Sequence, residues 1–251
     1  MHNVTFKDIY KQGKVVENNE LYRHIHFPEF LLLYDGNYIE FKKMPSAQEF
    51  AAIASYLRKF HKHNGQHHVK FYLPENEKPT EELIEFFTEE EFDYSFIELY
   101  AIDPKDFPSM SNKAEIQIET VKDINFDDYL AIQYEQEIMY GEDFATQKVK
   151  FHRERLESPN FVQYIALFDG KPAGSVDVII GEHTVEIDGL LVKEDFRHQG
   201  IASRLQERVM KDFANKTVIL VADGEDTPRE MYQKQNYKLI SYQYEVLKLY
   251  L

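Results

Sequence analysis

The sequence predicts an α+β protein of the three-layer α/β kind: a mixed, mainly antiparallel sheet flanked by helices, preceded by a smaller α+β domain. Three observations predict it. Asp169-Gly170 lies between two strand-like runs, Phe161–Phe168 and Pro172–Ile180, a strong signal for a hairpin with a type I′ turn. The run Thr184–Val192 feeds a short loop, Arg197-His198-Gln199-Gly200, after which Ile201, Leu205, Val209 and Phe213 recur every four residues as the apolar stripe of a helix. Between the halves, Asp103–Lys113 (DPKDFPSMSNK) carries two Pro, two Ser and no apolar periodicity. The domains are therefore expected at 1–105 and 114–251, with a linker at 106–113.

In the second half the expected order is a strand at 114–120, a helical region at 125–157, the hairpin, the strand–loop–helix unit and an apolar strand at Thr217–Ala222. Thr227-Pro228-Arg229-Glu230 then reads as a capping box with Pro at the first helical position. Two last strands are expected near Lys238–Tyr242 and Tyr244–Tyr250. In the first half, Phe30–Tyr34 and Tyr38–Lys43 are expected to form a hairpin around Asp35-Gly36-Asn37. A helix from Ala47 to about His61, a strand at His68–Leu73, a helix opening near Thr80 and a strand at Tyr94–Ala101 complete it.

Composition narrows the function. The formal charge is −15 over 251 residues and is shared almost equally by the halves, which argues against nucleic acid and anionic membrane as partners. It suits a cationic substrate and equally suits plain acidic solubility. Absence of cysteine excludes disulfides, thiolate metal sites and a cysteine nucleophile. No apolar signal core opens the chain and no apolar run is long enough to span a bilayer, so the expected location is the cytoplasm.

The loop carries the chemistry. Small residues let a ligand approach the backbone, and the first turn of a helix offers N–H groups with no internal partner. Those donors and the helix dipole suit an anion such as a pyrophosphate. Neither a Gly-Lys-Ser/Thr loop nor a Gly-x-Gly-x-x-Gly turn is present. Arg197-His198-Gln199-Gly200-Ile201-Ala202 instead resembles the acetyl-CoA loop of the GNAT N-acetyltransferases, Gln/Arg-x-x-Gly-x-Gly/Ala. Tyr232 to Tyr237 resembles that family's Tyr-x-x-x-Gly-Phe segment, with Asn236 for Gly and Tyr237 for Phe. Asn is the next-best residue for a left-handed helix end, so the departure is mild.

The resemblance implies an acetyl-CoA-dependent N-acetyltransferase acting on a primary amine of a small molecule or protein, in a ternary complex and without a metal. The backbone N–H groups of His198, Gln199, Gly200, Ile201 and Ala202, with the Ser203 hydroxyl nearby, would hold the pyrophosphate, and Arg197 would contact phosphate or only fix the loop. Leu190 and Val192 would pair with the pantetheine arm, and Gly189 would allow the bulge that splays their strand. Glu186, eleven residues before Arg197, has the spacing of a catalytic glutamate, so that Glu186 or water would be the base, and Tyr232 matches the tyrosine that protonates the departing thiolate. Alternation puts Glu186, Asp188, Leu190 and Val192 on one strand face. Tyr134, Glu137, Tyr140 and Glu142, with Asp188, are candidates to hold a cationic acceptor; an acidic, half-buried helix is the plain alternative. The other function class is a CoA- or acyl-CoA-binding module that regulates or assembles without catalysis.

His61, His63, His67 and His68 invite a metal reading, but they straddle Asn64-Gly65 at a helix end, where capping explains them without one. Finally, Ile53-Ala54-Ser55-Tyr56-Leu57 resembles Ile201-Ala202-Ser203-Arg204-Leu205, and Phe87 and Phe92 have the spacing of Tyr232 and Tyr237. In that register Glu49 stands for Arg197 and Ala52 for Gly200. The first half is then either a degenerate second copy or an unrelated α+β domain. It is expected to bind no cofactor and to shape the acceptor site or a homodimer interface.

Overall fold

The computed structural model describes residues 4–110, 113–224 and 228–250. Two compact units emerge that are not colinear with the chain. One comprises residues 11–99, 222–229 and 240–251; the other comprises 1–10, 100–221 and 230–239.

In the first of these, β1 (Lys14–Asn18) and β2 (Tyr22–His26) form an antiparallel hairpin that the sequence reading did not anticipate. Asn19 shapes its turn by accepting from the N–H groups of Leu21 and Tyr22, both at 2.9 Å. β3 (Tyr38–Phe41) follows, antiparallel to β2. The helix α1 (Ala47–His63) leads to β4 (His68–Tyr72), parallel to β3, and α2 (Glu81–Glu89) leads to β5 (Asp93–Ile102). Residues 245–249 pair antiparallel with β4, so the end of the chain is built into this sheet. Phe50 centres the core, with the rings of Phe41, Phe71, Phe87 and Phe92 between 4.7 and 5.8 Å away.

The hairpin expected around Asp35-Gly36-Asn37 is absent; only β3 is a strand, and Tyr34–Gly36 is a 3₁₀ turn. The cause is Asn37. Its side chain donates to the carbonyls of Phe30 and Leu33 and accepts from the N–H of Phe27, which folds 27–36 into turns. Ring nitrogens of His61 and His68 contact the His68 and Asn37 carbonyls, at 2.7 and 3.2 Å, so both rings are fixtures of the fold.

In the other unit, β6 (Ile116–Thr120) precedes α3 (Phe126–Glu137) and α4 (Glu142–Glu157). Gly141, at φ +106, splits the single helical region that the pattern suggested. Then come β7 (Phe161–Phe168), β8 (Lys171–Ile180), β9 (Thr184–Val192), α5 (Ile201–Asp212), β10 (Thr217–Asp223) and α6 (Pro228–Lys234). The sheet order is β6-β7-β8-β9-β10, antiparallel except for the parallel β9–β10 pair. Asp169 and Gly170 both have positive φ, 48° and 76°, as a type I′ turn requires.

On β8, Ser175 and Asp177 bond to α3 side chains, whereas a Cβ at Gly174 would lie 3.3 Å from Ile201 of α5. The sheet is thus a middle layer with α3 on one face and α5 on the other. The expected strand pair at the chain's end is one continuous strand, β11 (Lys238–Leu249). Gln243, at its centre, is no turn residue; it is buried and donates to the Leu73 carbonyl at 2.8 Å. Thr227 of the expected capping box lies outside the described residues. Among the described residues no helix is long and apolar enough to cross a membrane.

The two halves repeat one order of elements. Strand, strand, strand, helix, parallel strand, helix and strand describe β1-β2-β3-α1-β4-α2-β5 and also β7-β8-β9-α5-β10-α6-β11. The helix starts differ. Ser46 caps α1 and shares a capping box with Glu49, so the residue that matches Gly200 by position is Ser46 and Ala52 is a second-turn residue. The register read from Ile53 is therefore displaced by more than one helical turn.

Candidate active site

The site begins where a ladder stops. Thr184 to Ile187 of β9 pair with Thr217 to Leu220 of β10, and the pairing ends there although β9 runs on to Val192. On the β8 side the register slips between Ser175 and Asp177, opposite Leu191 and Asp188, so β9 carries an extra residue at this step. Gly189 takes up the bulge at φ +58, with nothing within 4 Å of where a Cβ would lie. From Asp188 to Val192 the β10-side edge of β9 is therefore left to another partner. Leu190 and Val192, both half-buried, lie on this stretch.

Arg197 follows, its guanidinium reaching the Val192 carbonyl at 3.5 Å and so folding the loop onto the strand end. His198 and Gly200 are left-handed, at φ +62 and +93, and Gly200 is the N-cap of α5 without a side chain to cap it. The N–H groups of Ile201, Ala202 and Ser203 start the helix with no carbonyl one turn behind them. Ser203 Oγ accepts from Gln235 at 3.0 Å, which ties the α5 start to the Tyr232–Tyr237 segment. Lys113 was not anticipated: its ammonium lies 2.6 Å from the Gln199 carbonyl and adds a cation to the loop. Ile132, Gln136, Met139, Leu191, Val192 and Arg197 line a groove beside it.

Glu186 is half-buried on β9. Burial, then the neighbouring Asp188 carboxylate, push its carboxyl up to about 8, against the backbone N–H of Tyr10 and the charge of Arg155. The Tyr10 N–H donates to Glu186 Oε2 at 2.8 Å. Asp188 is not free to hold an acceptor alone, because Arg155 Nη1 lies 2.9 Å from it and 2.8 Å from Asp177.

Glu137 is the other correction. A candidate acceptor ligand by sequence, it is buried and its Oε1 lies 2.9 Å from His152 Nε2. His152 meets the Tyr129 hydroxyl at 2.9 Å, Tyr129 donates to Asp177 at 2.6 Å, and Gln163 donates to Tyr129 at 3.0 Å. Burial alone would raise the Asp177 pKa, yet Arg155 and His152 hold it below the usual carboxylate range. The one signal for this network in the sequence was Asp177 itself, a charge inside the apolar run Val176–Ile180. Tyr134 and Tyr140 do face solvent, Tyr140 with Phe144 at 5.4 Å, and Glu142 is exposed beside them.

Tyr232 is buried, its ring 5.4 Å from Tyr100 and 5.5 Å from Tyr237. Asn236 is left-handed at φ +67 and ends the turn between them, as expected of its place. Among the described residues no group of three or more His, Asp or Glu side chains is arranged to hold a metal ion.

The Acetyltransferase (GNAT) family matches residues 119–237, and a domain of unknown function (DUF5613) matches residues 4–100. No curated protein matches the chain. A functionally unknown conserved protein from Staphylococcus epidermidis ATCC 12228 is 32% identical over 99% of this chain and 98% of its own, with a TM-score of 0.92. A GCN5-related N-acetyltransferase from Kribbella flavida shares the fold at 13% identity and a TM-score of 0.65, covering 94% of this chain and 90% of its own. Another, from Sphaerobacter thermophilus, does so at 12% identity and 0.58, covering 93% and 82%.

Proposed function

We propose that this chain, whose residues 119–237 match the Acetyltransferase (GNAT) family, transfers an acetyl group from acetyl-CoA to a primary amine by direct attack in a ternary complex. The observation that carries this reading is the end of the β9–β10 ladder at Ile187, which leaves a bulged strand edge running into an uncapped helix start. An extended amide arm fits the first and a pyrophosphate the second. The co-substrate supplies an activated acyl thioester; the protein's own groups do the rest.

Glu186 takes a proton from the acceptor. A carboxylate with a pKa of about 8 is far closer to an alkyl ammonium, about 10.4, than an ordinary one, so the proton transfer is less uphill. The amide of Leu190 donates to the oxyanion. Tyr232 hands its phenolic proton to the thiolate as it leaves. Asp188, shared with Arg155, contributes only part of its charge to attracting the cationic acceptor, and Tyr134 and Tyr140 offer it ring faces. The N-terminal half is a degenerate copy that binds no cofactor: the Glu49 carboxylate already fills the α1 start by accepting from Ser46 N at 2.9 Å, and its charge opposes a phosphate.

The test is CoA release from acetyl-CoA with a panel of primary amines. Once a substrate is found, Glu186→Gln is expected to lower kcat/KM by roughly 10²–10⁴, and Tyr232→Phe to lower kcat. Unchanged turnover in both variants contradicts the assigned roles. Thermal stabilisation by acetyl-CoA with no release across the panel identifies a non-catalytic CoA-binding module instead.

A further inference from the structure

We propose that the N-terminal segment is a working part of the transfer site, its Tyr10 backbone N–H positioning the Glu186 carboxylate for proton transfer. This rests on the reading of Glu186 as the base. The two residues are 176 positions apart and 2.8 Å from N to Oε2. The donor is not a passing loop. Thr5 and Asp8 close a capping box around a 3₁₀ turn, Val4 and Phe6 are buried, and the Tyr10 ring stands edge-on to Phe161 at 5.4 Å. An anchor precedes the donor and a ring follows it, so the amide is held where it is.

The effect on the base follows from the groups around it. Ile179 of β8 and Ile219 of β10 flank Glu186 across the sheet and are neutral. Asp188 on its own strand opposes ionisation. Arg155 from α4 favours it, though that charge is shared with Asp177 of β8 and with Asp188. Among the described residues the Tyr10 N–H is the one donor that touches the carboxylate itself, and a hydrogen bond to the charged form stabilises that form. With Oε2 tied, the carboxyl plane is fixed and an incoming proton is directed to Oε1. A base pushed up by burial thereby keeps a working ionised fraction near neutral pH.

The contact is made by the main chain, so proline is the diagnostic substitution. Tyr10→Pro removes the N–H, and Ile9 already has the extended ψ of 134 that precedes proline without strain. Tyr10→Ala removes the ring and keeps the N–H. The acidic limb of the kcat/KM profile is expected to lie roughly half a pH unit or more higher in the Pro variant than in the Ala variant. Coincident limbs overturn the proposal.

A second measurement needs neither turnover nor a folded Pro variant. In the wild-type protein the Tyr10 amide proton resonance is expected to shift with a midpoint near pH 8, and the shift is expected to vanish in Glu186→Gln. A Tyr10 amide that does not titrate overturns the contact. An amide that titrates while Glu186→Gln retains full turnover leaves the contact standing, and it is then the base assignment that falls and takes the positioning role with it.

Discussion

Arg155 Nη1 on α4 lies 2.9 Å from Asp188 Oδ2 on β9. The same nitrogen lies 2.8 Å from the buried Asp177 on β8, so two carboxylates beside the proposed base share one guanidinium. Removing it strands a buried charge. Arg155→Met is expected to cost about 3–5 kcal/mol in urea unfolding. It is also expected to raise the acidic limb of the rate profile, because the positive charge that favours ionised Glu186 is gone. Stability within ~1 kcal/mol of wild type would show that the pair is not structural.

Gly200 sits at φ +93 with only the Lys113 ammonium, 3.8 Å away, near the place of a Cβ. There is room for a methyl group but not the right backbone. Gly200→Ala is therefore expected to cost about 1 kcal/mol by strain alone and to weaken acetyl-CoA binding through the shifted loop. Lys113→Met removes an exposed cation together with its contact to the Gln199 carbonyl. Affinity is expected to fall roughly two- to fivefold, and the gap should narrow as salt rises. A calorimetric titration at two ionic strengths checks both.

The N-terminal unit should be acid-sensitive. Burial first, then neighbouring positive groups, push His24 and His61 down to about 4 and His68 to about 3. Among the described residues His24 Nε2 and His61 Nε2 have no hydrogen-bond partner, so a proton there would gain none. Unfolded histidines take up protons near pH 6.5 while the folded ones stay neutral. Their contribution is thus complete above pH 6.5 and is lost as pH falls from there toward about 4 for His24 and His61 and about 3 for His68. Unfolding at pH 5 should take up roughly three more protons than at pH 8, read from the slope of unfolding free energy against pH. A flat slope contradicts neutral burial.

What was legible in the sequence was what backbone rules dictate locally. Asp169-Gly170 turns where it should, Gly189 carries the bulge, and Gly200 and Asn236 take left-handed conformations, because each depends on a few neighbouring residues. Contacts between distant residues were not legible. Nothing near Asn37 announces that its amide would clamp Phe30 and Leu33 and erase a strand. The His152–Tyr129–Asp177 cluster joins positions 23 to 48 residues apart, and the partner that buries Glu137 lies on the next helix. The pairing of residues 245–249 with β4 is equally non-local, which is why one strand was read as two.

Titration of the purified protein with acetyl-CoA in a calorimeter tests the central claim most directly, because every assigned role depends on the loop from Arg197 to Ser203 holding the cofactor. One site per chain is expected, abolished by Gly200→Glu, whose carboxylate would face the pyrophosphate. Ser46→Gly, at the matching helix start of the N-terminal half, should leave the stoichiometry at one. Absence of binding, two sites per chain, or one site that survives Gly200→Glu would contradict the account.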